Sequence, residues 1–174
     1  METDRAVVTG RPLPPASQER NLPAFPKRTE ARMLVSQVIR EKGGIVFAVA
    51  PNETLAEAAA LLHQRQIGSA VVMDSSGAVV GIISERDLVR QVALMGAEAL
   101  DRPVSAAMTR TVIFAGPDES VDELLARMTD RRIRHLPVIT EGRLIGLVSI
   151  GDLVKRKIEE TEAEARELKA YIAA

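Results

Sequence analysis

The chain has no cysteine, few aromatic residues and no long apolar run. None of its 174 residues is Cys, and only 2% are aromatic. Disulfides, thiolate nucleophiles and thiolate metal ligands are therefore excluded, and stacking surfaces for single-stranded nucleic acid are disfavoured. No apolar stretch is long enough to predict a membrane span, and the N-terminus lacks the charged-then-apolar pattern of a signal peptide. These absences predict a cytoplasmic protein with no membrane partner.

The charge of the chain is nearly balanced, with 23 Lys and Arg against 24 Asp and Glu and a formal net charge of −1. Without a basic block in the predicted folded part, binding to a phosphate backbone has little electrostatic support, so nucleic acid is not expected as a partner. Apolar residues make up 46% of the chain, enough for an aliphatic core. The length suits one ordinary domain or two small ones.

Motifs of common catalytic sites are also missing. The sequence contains no GxxxxGK[ST], HExxH or GxSxG, and its only histidines are His63 and His135. His63 lies on the polar edge of a predicted helix and is expected at the surface. The sequence therefore predicts a protein that is not an enzyme, and a nucleotide hydrolase has no general base or metal cluster to support it.

An internal repeat dominates what is present. Residues 77–88 read GAVVGIISERDL, and residues 142–153 read GRLIGLVSIGDL. Upstream segments match in the same order, so the whole unit is duplicated, and such a duplication decides the fold. The small and polar residues shared by the two copies are Gly81, Ser84 and Asp87 in the first and Gly146, Ser149 and Asp152 in the second.

Each copy is predicted to run strand, helix, strand, hairpin, strand, helix, which is an α/β unit. Residues 45–49 and 112–115 are predicted as the first strands. The helices that follow begin with S/T-x-x-E capping boxes at 54–57 and 120–123, which satisfy free backbone N–H groups. Glycines inside the third strands indicate a bulge or a close approach by another segment or a ligand.

The pattern divides the chain into four parts. Residues 1–28 are rich in proline and lack periodic apolar positions, which predicts a flexible tail. Residues 29–100 form the first repeat with an entry helix and a linker, and residues 101–158 form the second repeat. Residues 159–174 extend the last helix. Residues 104–108 repeat the entry helix of the first copy.

Along the last helix, apolar positions alternate spacings of four and three, which is a heptad pattern. Two interpretations remain open for it. The helix lies on its own domain or frays, or it forms a contact between subunits. The positions concerned are Val154, Ile158, Thr161, Ala165, Leu168 and Ile172.

The repeated Ser-x-x-Asp admits two compatible interpretations. In the structural one, the serine caps a helix and the aspartate closes the capping box from the third position. In the functional one, the aspartate also accepts hydrogen bonds from ribose hydroxyls, and the free N–H groups of the helix N-terminus favour a phosphate.

The second copy carries more polar side chains than the first. Thr111 stands before its first strand, and Arg134 and His135 open its middle strand where the first copy has Gly68 and Ser69. A guanidinium and an imidazole beside a helix N-terminus suit an anionic ligand, because charge-assisted hydrogen bonds to phosphate are strong. The alternative places both residues at a strand edge on the surface.

The closing pattern Gly-x-x-x-Gly-h-h-Ser-x-x-Asp-h (h, apolar) and the strand Ile-Arg-His-Leu-Pro-Val at 133–138 resemble the cystathionine-β-synthase (CBS) domain. The resemblance covers about residues 30–158 and is greatest to small stand-alone bacterial proteins with a tandem CBS pair, or Bateman module. It implies a tandem α/β repeat of two β-α-β-β-α units, packed through their sheets with pseudo-twofold symmetry and leaving two clefts between them.

In this family the clefts commonly bind adenosyl ligands: AMP, ADP, ATP, NAD or S-adenosylmethionine. The resemblance implies that the signature Asp contacts ribose, the signature Ser contacts phosphate or ribose, the basic pair contacts phosphate, and the threonine lies against adenine or ribose. The residues that it places at a ligand are Thr111, Arg134, His135, Leu136, Pro137, Ser149 and Asp152 in the second copy, and Ser84, Arg86 and Asp87 in the first.

The first copy departs from the family pattern at Gly68-Ser69 and at Val71, where proline is favoured. The cleft of the first copy is then empty, or it uses Arg86 to bind phosphate. We expect one site, built mainly on the second copy. The predicted function is a non-enzymatic adenine-nucleotide sensor that needs no cofactor, forms a homodimeric disc of four repeats and regulates an unidentified protein. The alternative is a ligand-free assembly protein that oligomerises through the CBS pair and the terminal helix.

Overall fold

The computed structural model describes residues 32–173, so the predicted tail at 1–28 lies outside the described part. The five helices of that part are α1 (Val35–Lys42), α2 (Leu55–Arg65), α3 (Glu85–Met95), α4 (Val121–Arg131) and α5 (Ile150–Ala173). Its strands are β1 (Ala48–Val49), β2 (Ser69–Met73), β3 (Val79–Ser84), β4 (His135–Thr140) and β5 (Arg143–Ser149). Short 3-10 helices span Gly96–Asp101 and Val104–Ala106.

Two similar α/β units follow one another along the chain. In the first, β1 runs parallel to β2, and β2 runs antiparallel to β3. In the second, β4 and β5 form the matching antiparallel hairpin. A helix precedes each hairpin and another follows it, so the tandem α/β architecture expected from the sequence is confirmed.

The first strands are shorter than predicted. Of residues 45–49, only the last two positions form β1. Of residues 112–115, only Ala115 pairs with the sheet, through a single parallel bridge to Val138.

A proline explains the difference between the two copies. In the first, the Val71 N–H donates to the Phe47 carbonyl at 3.1 Å and extends the parallel ladder. Pro137 occupies the corresponding position in the second copy, where its carbonyl accepts from the Ala115 N–H at 3.0 Å. Because proline has no N–H, it cannot make the next bond of the ladder, which ends at Ala115.

Both predicted capping boxes at the starts of α2 and α4 are confirmed. The Thr54 hydroxyl accepts from the Glu57 N–H at 3.2 Å, and the Glu57 carboxylate accepts from the Thr54 N–H at 2.7 Å. Ser120 and Glu123 repeat this exchange at 3.3 and 2.9 Å. Two of the N–H groups that a helix start leaves free are thereby satisfied in each copy.

The entry segments of the two repeats are exchanged. Helix α1 buries its apolar face in the core of the second repeat, against α4, β4 and β5. The segment 104–108 packs into the core of the first repeat. Backbone bonds repeat the same exchange: the Val35 N–H donates to Glu119 at 2.9 Å, and the Val104 N–H donates to Glu53 at 2.7 Å. The two repeats therefore interlock about a pseudo-twofold axis.

The glycines inside β3 and β5 make this exchange possible. A Cβ at Gly81 would come within 2.6 Å of the Met108 sulfur, and a Cβ at Gly146 within 2.9 Å of the Ile39 side chain. Both distances are too short for a real contact, so a larger residue would force the Met108 or Ile39 side chain to move. The close approach that the sequence indicated is made by the entry segment of the other repeat.

Candidate functional site

An open cleft of about 280 Å³ lies between the two repeats. This volume is near the lower end of the range for small-molecule pockets, roughly 300–1,000 Å³. Both copies contribute to its walls, because the exchanged entry segments bring β3 and α3 of the first against the start of β4 in the second. The polar and glycine lining residues are Gly68, Ser84, Glu85, Arg86, Asp87, Arg90, Thr109, Thr111, Arg132, Arg134 and His135.

The first copy supplies the carboxylate of this cleft. At the junction of β3 and α3, the Ser84 N–H and hydroxyl donate to Oδ2 of Asp87 at 3.0 and 2.7 Å. Oδ1 of Asp87 accepts from the Arg90 guanidinium at 2.7 Å. The Asp87 side chain is only 9% exposed, so its charge is held in place. A ligand hydroxyl that approached Oδ1 would donate to a positioned carboxylate.

Four arginines line the same cleft as that carboxylate. Arg86 and Arg90 come from α3, whereas Arg132 and Arg134 come from the turn before β4. The Arg86 guanidinium reaches across to the Arg132 carbonyl at 3.5 Å, a long contact between the two repeats. The carboxylates of the lining are Glu85 and Asp87. Arginines outnumber carboxylates, so the cleft favours an anionic ligand.

His135 lines the cleft at the start of β4 and is half-buried. Burial lowers the pKa of its imidazole most, and the positive charges of Lys42 and Arg134 lower that pKa further, against the opposing effect of Asp152. The neutral ring can donate one hydrogen bond and accept one. The imidazole packs against Gly68, where an added Cβ would lie only 3.3 Å from Cε1 of His135.

Aliphatic side chains form an apolar wall of the cleft. The segment 109–113 is fixed against β3 because Thr109 and Ile82 exchange backbone hydrogen bonds at 2.9 and 3.0 Å. This pairing places Thr111 on the cleft beside aliphatic side chains. Such a surface suits a flat, weakly polar ring. The apolar lining residues are Ile82, Val112, Ile113, Ile133 and Pro137.

Two helices begin beside the cleft, and a backbone hydrogen bond joins the first residue of each helix to the start of a strand at the cleft. The Arg134 carbonyl accepts from the Ile150 N–H, the first of α5, at 2.8 Å. Correspondingly, the Gly68 carbonyl accepts from the Glu85 N–H, the first of α3, at 3.1 Å. A ligand that moved either strand start would therefore also move the start of a helix.

The second Ser-x-x-Asp has a different environment. Oδ2 of Asp152 accepts from the Ser149 N–H and hydroxyl, both at 2.8 Å, and from the Lys42 ammonium at 2.7 Å. Partial burial raises the pKa of Asp152, but the bonds from Lys42 and Ser149 outweigh burial and hold the pKa below its ordinary value. Neither Ser149 nor Asp152 lines the open cleft.

The structure therefore groups the expected ligand residues differently from the sequence analysis. Leu136 is buried in the core of the second repeat and, like the second Ser-x-x-Asp, does not line the cleft. Because the repeats interlock, the signature of one copy faces the middle strand of the other. The expected residues that meet at the cleft are Ser84, Arg86, Asp87, Thr111, Arg134, His135 and Pro137.

Several residues that line the cleft were not expected there from the sequence. Arg90 had a usable signal, because it follows Asp87 by one helical turn and residues at this spacing face each other. Arg132 and Thr109 had none, since each lies in a connection whose position depends on the other repeat. Within residues 32–173, no group of three or more His, Cys, Asp or Glu side chains could hold a metal ion.

A profile of the CBS domain matches the chain twice, at residues 36–94 and 104–159. A 17.7 kDa protein of Acidianus ambivalens is 40% identical over 126 residues, covering 72% of this chain and 73% of that protein. The mitochondrial CBS domain-containing protein CBSX3 of Arabidopsis thaliana is 34% identical over 146 residues, covering 79% of this chain and 71% of the relative.

Solved structures agree with these matches. A CBS-domain containing protein from Agrobacterium tumefaciens superposes with a TM-score of 0.72 at 42% identity, covering 75% of this chain and 97% of the other. The CBS domain pair of protein MJ0100, in complex with 5′-methylthioadenosine and S-adenosylmethionine, gives 0.66 at 26% identity over 74% and 98% of the two chains. No helix within residues 32–173 is long and apolar enough to cross a membrane. The chain belongs to the CBS-domain family, as a tandem pair of CBS domains.

Proposed function

We propose that this CBS pair is a regulatory module that binds an adenine nucleotide in the open cleft and catalyses no reaction. One observation carries the proposal: a buried carboxylate, four arginines and an apolar wall line one cleft between the repeats. The CBS pair bound to 5′-methylthioadenosine and S-adenosylmethionine supports an adenosyl ligand as the class.

The parts of the cleft match the parts of a nucleotide. The adenine ring is assigned to the aliphatic wall that includes Ile82 and Val112. Ribose hydroxyls would donate to Asp87, since hydrogen bonds to an ionised group are about twice as strong as neutral ones, while Thr111 supplies a further hydroxyl. The phosphates would bind Arg134 and neighbouring guanidinium groups, which hold phosphate oxygens through paired donors.

The arginines favour a phosphorylated ligand over a cationic one. S-adenosylmethionine carries a sulfonium, which the excess of guanidinium groups over carboxylates would repel. ADP and ATP present several negative charges to the same groups. We therefore assign ADP or ATP as the preferred ligand, with AMP and NAD bound more weakly and S-adenosylmethionine least.

Thermal unfolding tests this assignment. A ligand at 100 times its dissociation constant stabilises the native state by about 2.7 kcal/mol, and each kcal/mol raises the melting temperature of a chain this size by roughly 2–4 °C. We expect ADP or ATP to raise the melting temperature by about 5–10 °C on this basis, and GMP and S-adenosylmethionine to raise it less. A melting temperature that no adenine nucleotide changes would refute the proposal.

An assembly role is a second candidate, favoured by one exposed stripe on α5. Val154 is 43% exposed, Ile158 is 53%, Leu168 is 54% and Ile172 is 76%. A helix with so little burial is marginal by itself, whereas a second copy would cover this heptad stripe. We propose that two copies of α5 pair in parallel and form a homodimer.

The flanking charges fit parallel pairing of two α5 helices. In a parallel coiled coil with Ile158 and Ala165 at a positions, the residue before each a position faces the residue five places later in the partner helix. Lys157 would face Glu162 of the second copy, and Glu164 would face Lys169. Both combinations bring opposite charges together. In this chain Lys157 also pairs with Asp122 at 2.9 Å and with Glu160 at 3.0 Å, which leaves one N–H of its ammonium for the partner.

Sedimentation equilibrium tests the assembly role separately from ligand binding. We expect the natural chain to sediment as a dimer and Leu168→Glu to shift towards monomer, because a carboxylate would be buried in the stripe. Ala170→Glu is the matched control, since this exposed position on the same helix lies outside the stripe. Equal masses for both variants would contradict pairing through α5.

A further inference from the structure

The two Ser-x-x-Asp signatures hold different cations. Asp87 binds Arg90 of its own helix and faces the open cleft. Asp152 binds Lys42, the last residue of α1, which packs on the second repeat. The Lys42 ammonium also donates to the Leu147 carbonyl at 3.1 Å. It therefore lies across the end of β5, in the place where the pseudo-twofold axis would put a second cleft.

A three-residue insertion in the first copy puts Lys42 there. The corresponding Val and Pro stand at positions 35 and 51 in the first copy but at 104 and 117 in the second. The extra residues let α1 continue to Lys42, and Gly43 ends the helix with a φ of 92°. The second entry segment is only the 3-10 turn Val104–Ala106, so no side chain corresponds to Lys42 at the open cleft.

The place beside Asp152 that corresponds to the open cleft is called the mirrored cleft below. It also lacks the phosphate-binding side chains. Gly68 and Ser69 stand where the open cleft has Arg134 and His135, and Gly151 stands where it has Arg86. The Ser69 hydroxyl is buried, and no partner for it occurs within residues 32–173. Lys42 is the cation that donates to Asp152, and the charge of Asp152 also raises the pKa of the nearby His135 imidazole against the effect of burial.

We infer that Lys42 determines which of the two clefts binds a ligand. Its ammonium takes the place of ribose hydroxyls on Asp152 and closes the mirrored cleft, so the pair binds one nucleotide per chain. Removing Lys42 opens a second site for an adenosyl compound without phosphate, because Asp152 would regain a free acceptor and Gly68-Ser69 stands where the open cleft has its basic pair. This inference rests on the proposed binding of an adenosyl ligand by the pair.

Calorimetric titration of Lys42→Ala tests the inference. The protein is first saturated with ADP and then titrated with 5′-methylthioadenosine, which has adenine and ribose but no phosphate. We expect no binding to the natural chain and one equivalent per chain to Lys42→Ala. Arg40→Ala is the matched control, because this cation is exposed on the same helix, and it should behave as the natural chain does.

The Lys42–Asp152 pair is partly exposed, with 41% and 27% of the side chains accessible. Such pairs contribute little to folding, so the variant should keep its fold. Adding Asp152→Asn to Lys42→Ala should lower the new affinity at least tenfold. If Lys42→Ala and the natural chain bind the same amount of 5′-methylthioadenosine, the inference is overturned. This comparison stands whether or not ADP binds, whereas a natural chain that binds no adenine nucleotide would overturn the proposed function instead.

Discussion

Replacing Asp87 by Asn should lower the affinity for ADP roughly ten- to hundredfold. The substitution keeps the shape of the side chain but removes the charge that would accept ribose hydroxyls. Hydrogen bonds to charged groups contribute about 1.5–3 kcal/mol, and each 1.4 kcal/mol corresponds to a factor of about ten in affinity. Asp87 lines the open cleft, so the loss should appear in calorimetric titration of this variant.

Asp152→Asn is the matched control, because Asp152 has the same Ser-x-x-Asp context but lies outside the open cleft. We expect its affinity for ADP to stay close to that of the natural chain. The 2′-deoxy form of ADP should bind the natural chain more weakly, and Asp87→Asn should respond less to this deletion. A larger loss in Asp152→Asn than in Asp87→Asn would place the ligand in the mirrored cleft.

Replacing Arg134 by Met should also lower the affinity for ADP about tenfold or more, since a charge-assisted bond to phosphate is lost. Methionine retains an unbranched side chain without the guanidinium, and Arg134 makes its backbone bond to Ile150 through its carbonyl. The start of α5 should therefore be unaffected. The measurement is a titration with ADP and, in parallel, with adenosine.

Comparing ADP with adenosine isolates the contribution of the phosphates to the binding affinity. Adenosine has no phosphate, so Arg134→Met should change its affinity little. Arg131→Met serves as the control, because this exposed arginine ends α4 and does not line the cleft. If ADP and adenosine lose the same factor in Arg134→Met, the guanidinium acts on the fold and not on the phosphate.

The helix starts and the hairpins could be predicted because they depend on residues close to one another in the sequence. Thr54 and Ser120 start helices through bonds to residues three positions later, which depend on no distant contact. The hairpins follow from two apolar runs and a short turn. The strand at 112–115 could not be predicted from its own residues, because its length depends on the missing N–H of Pro137 in a neighbouring strand.

Which residues meet at the site depends on how the two repeats pack against each other, and the sequence of either repeat does not show this packing. The expectation assigned Ser149 and Asp152 to the cleft with Arg134 because all three belong to the second copy. The structure places Arg134 with Asp87, since each entry segment packs into the opposite repeat. Identical Ser-x-x-Asp patterns thus have different environments. The insertion that carries Lys42 and the replacement of the basic pair by Gly68-Ser69 were the visible signs of this difference.

The structure of the chain crystallised with ADP tests the central claim most directly. We expect electron density for one nucleotide per chain in the open cleft, with the ribose hydroxyls within hydrogen-bond distance of Asp87 and the phosphates on Arg134. The mirrored cleft should retain the contact between Lys42 and Asp152. Density for the ribose on Asp152, or an empty open cleft at saturating ADP, would contradict the account.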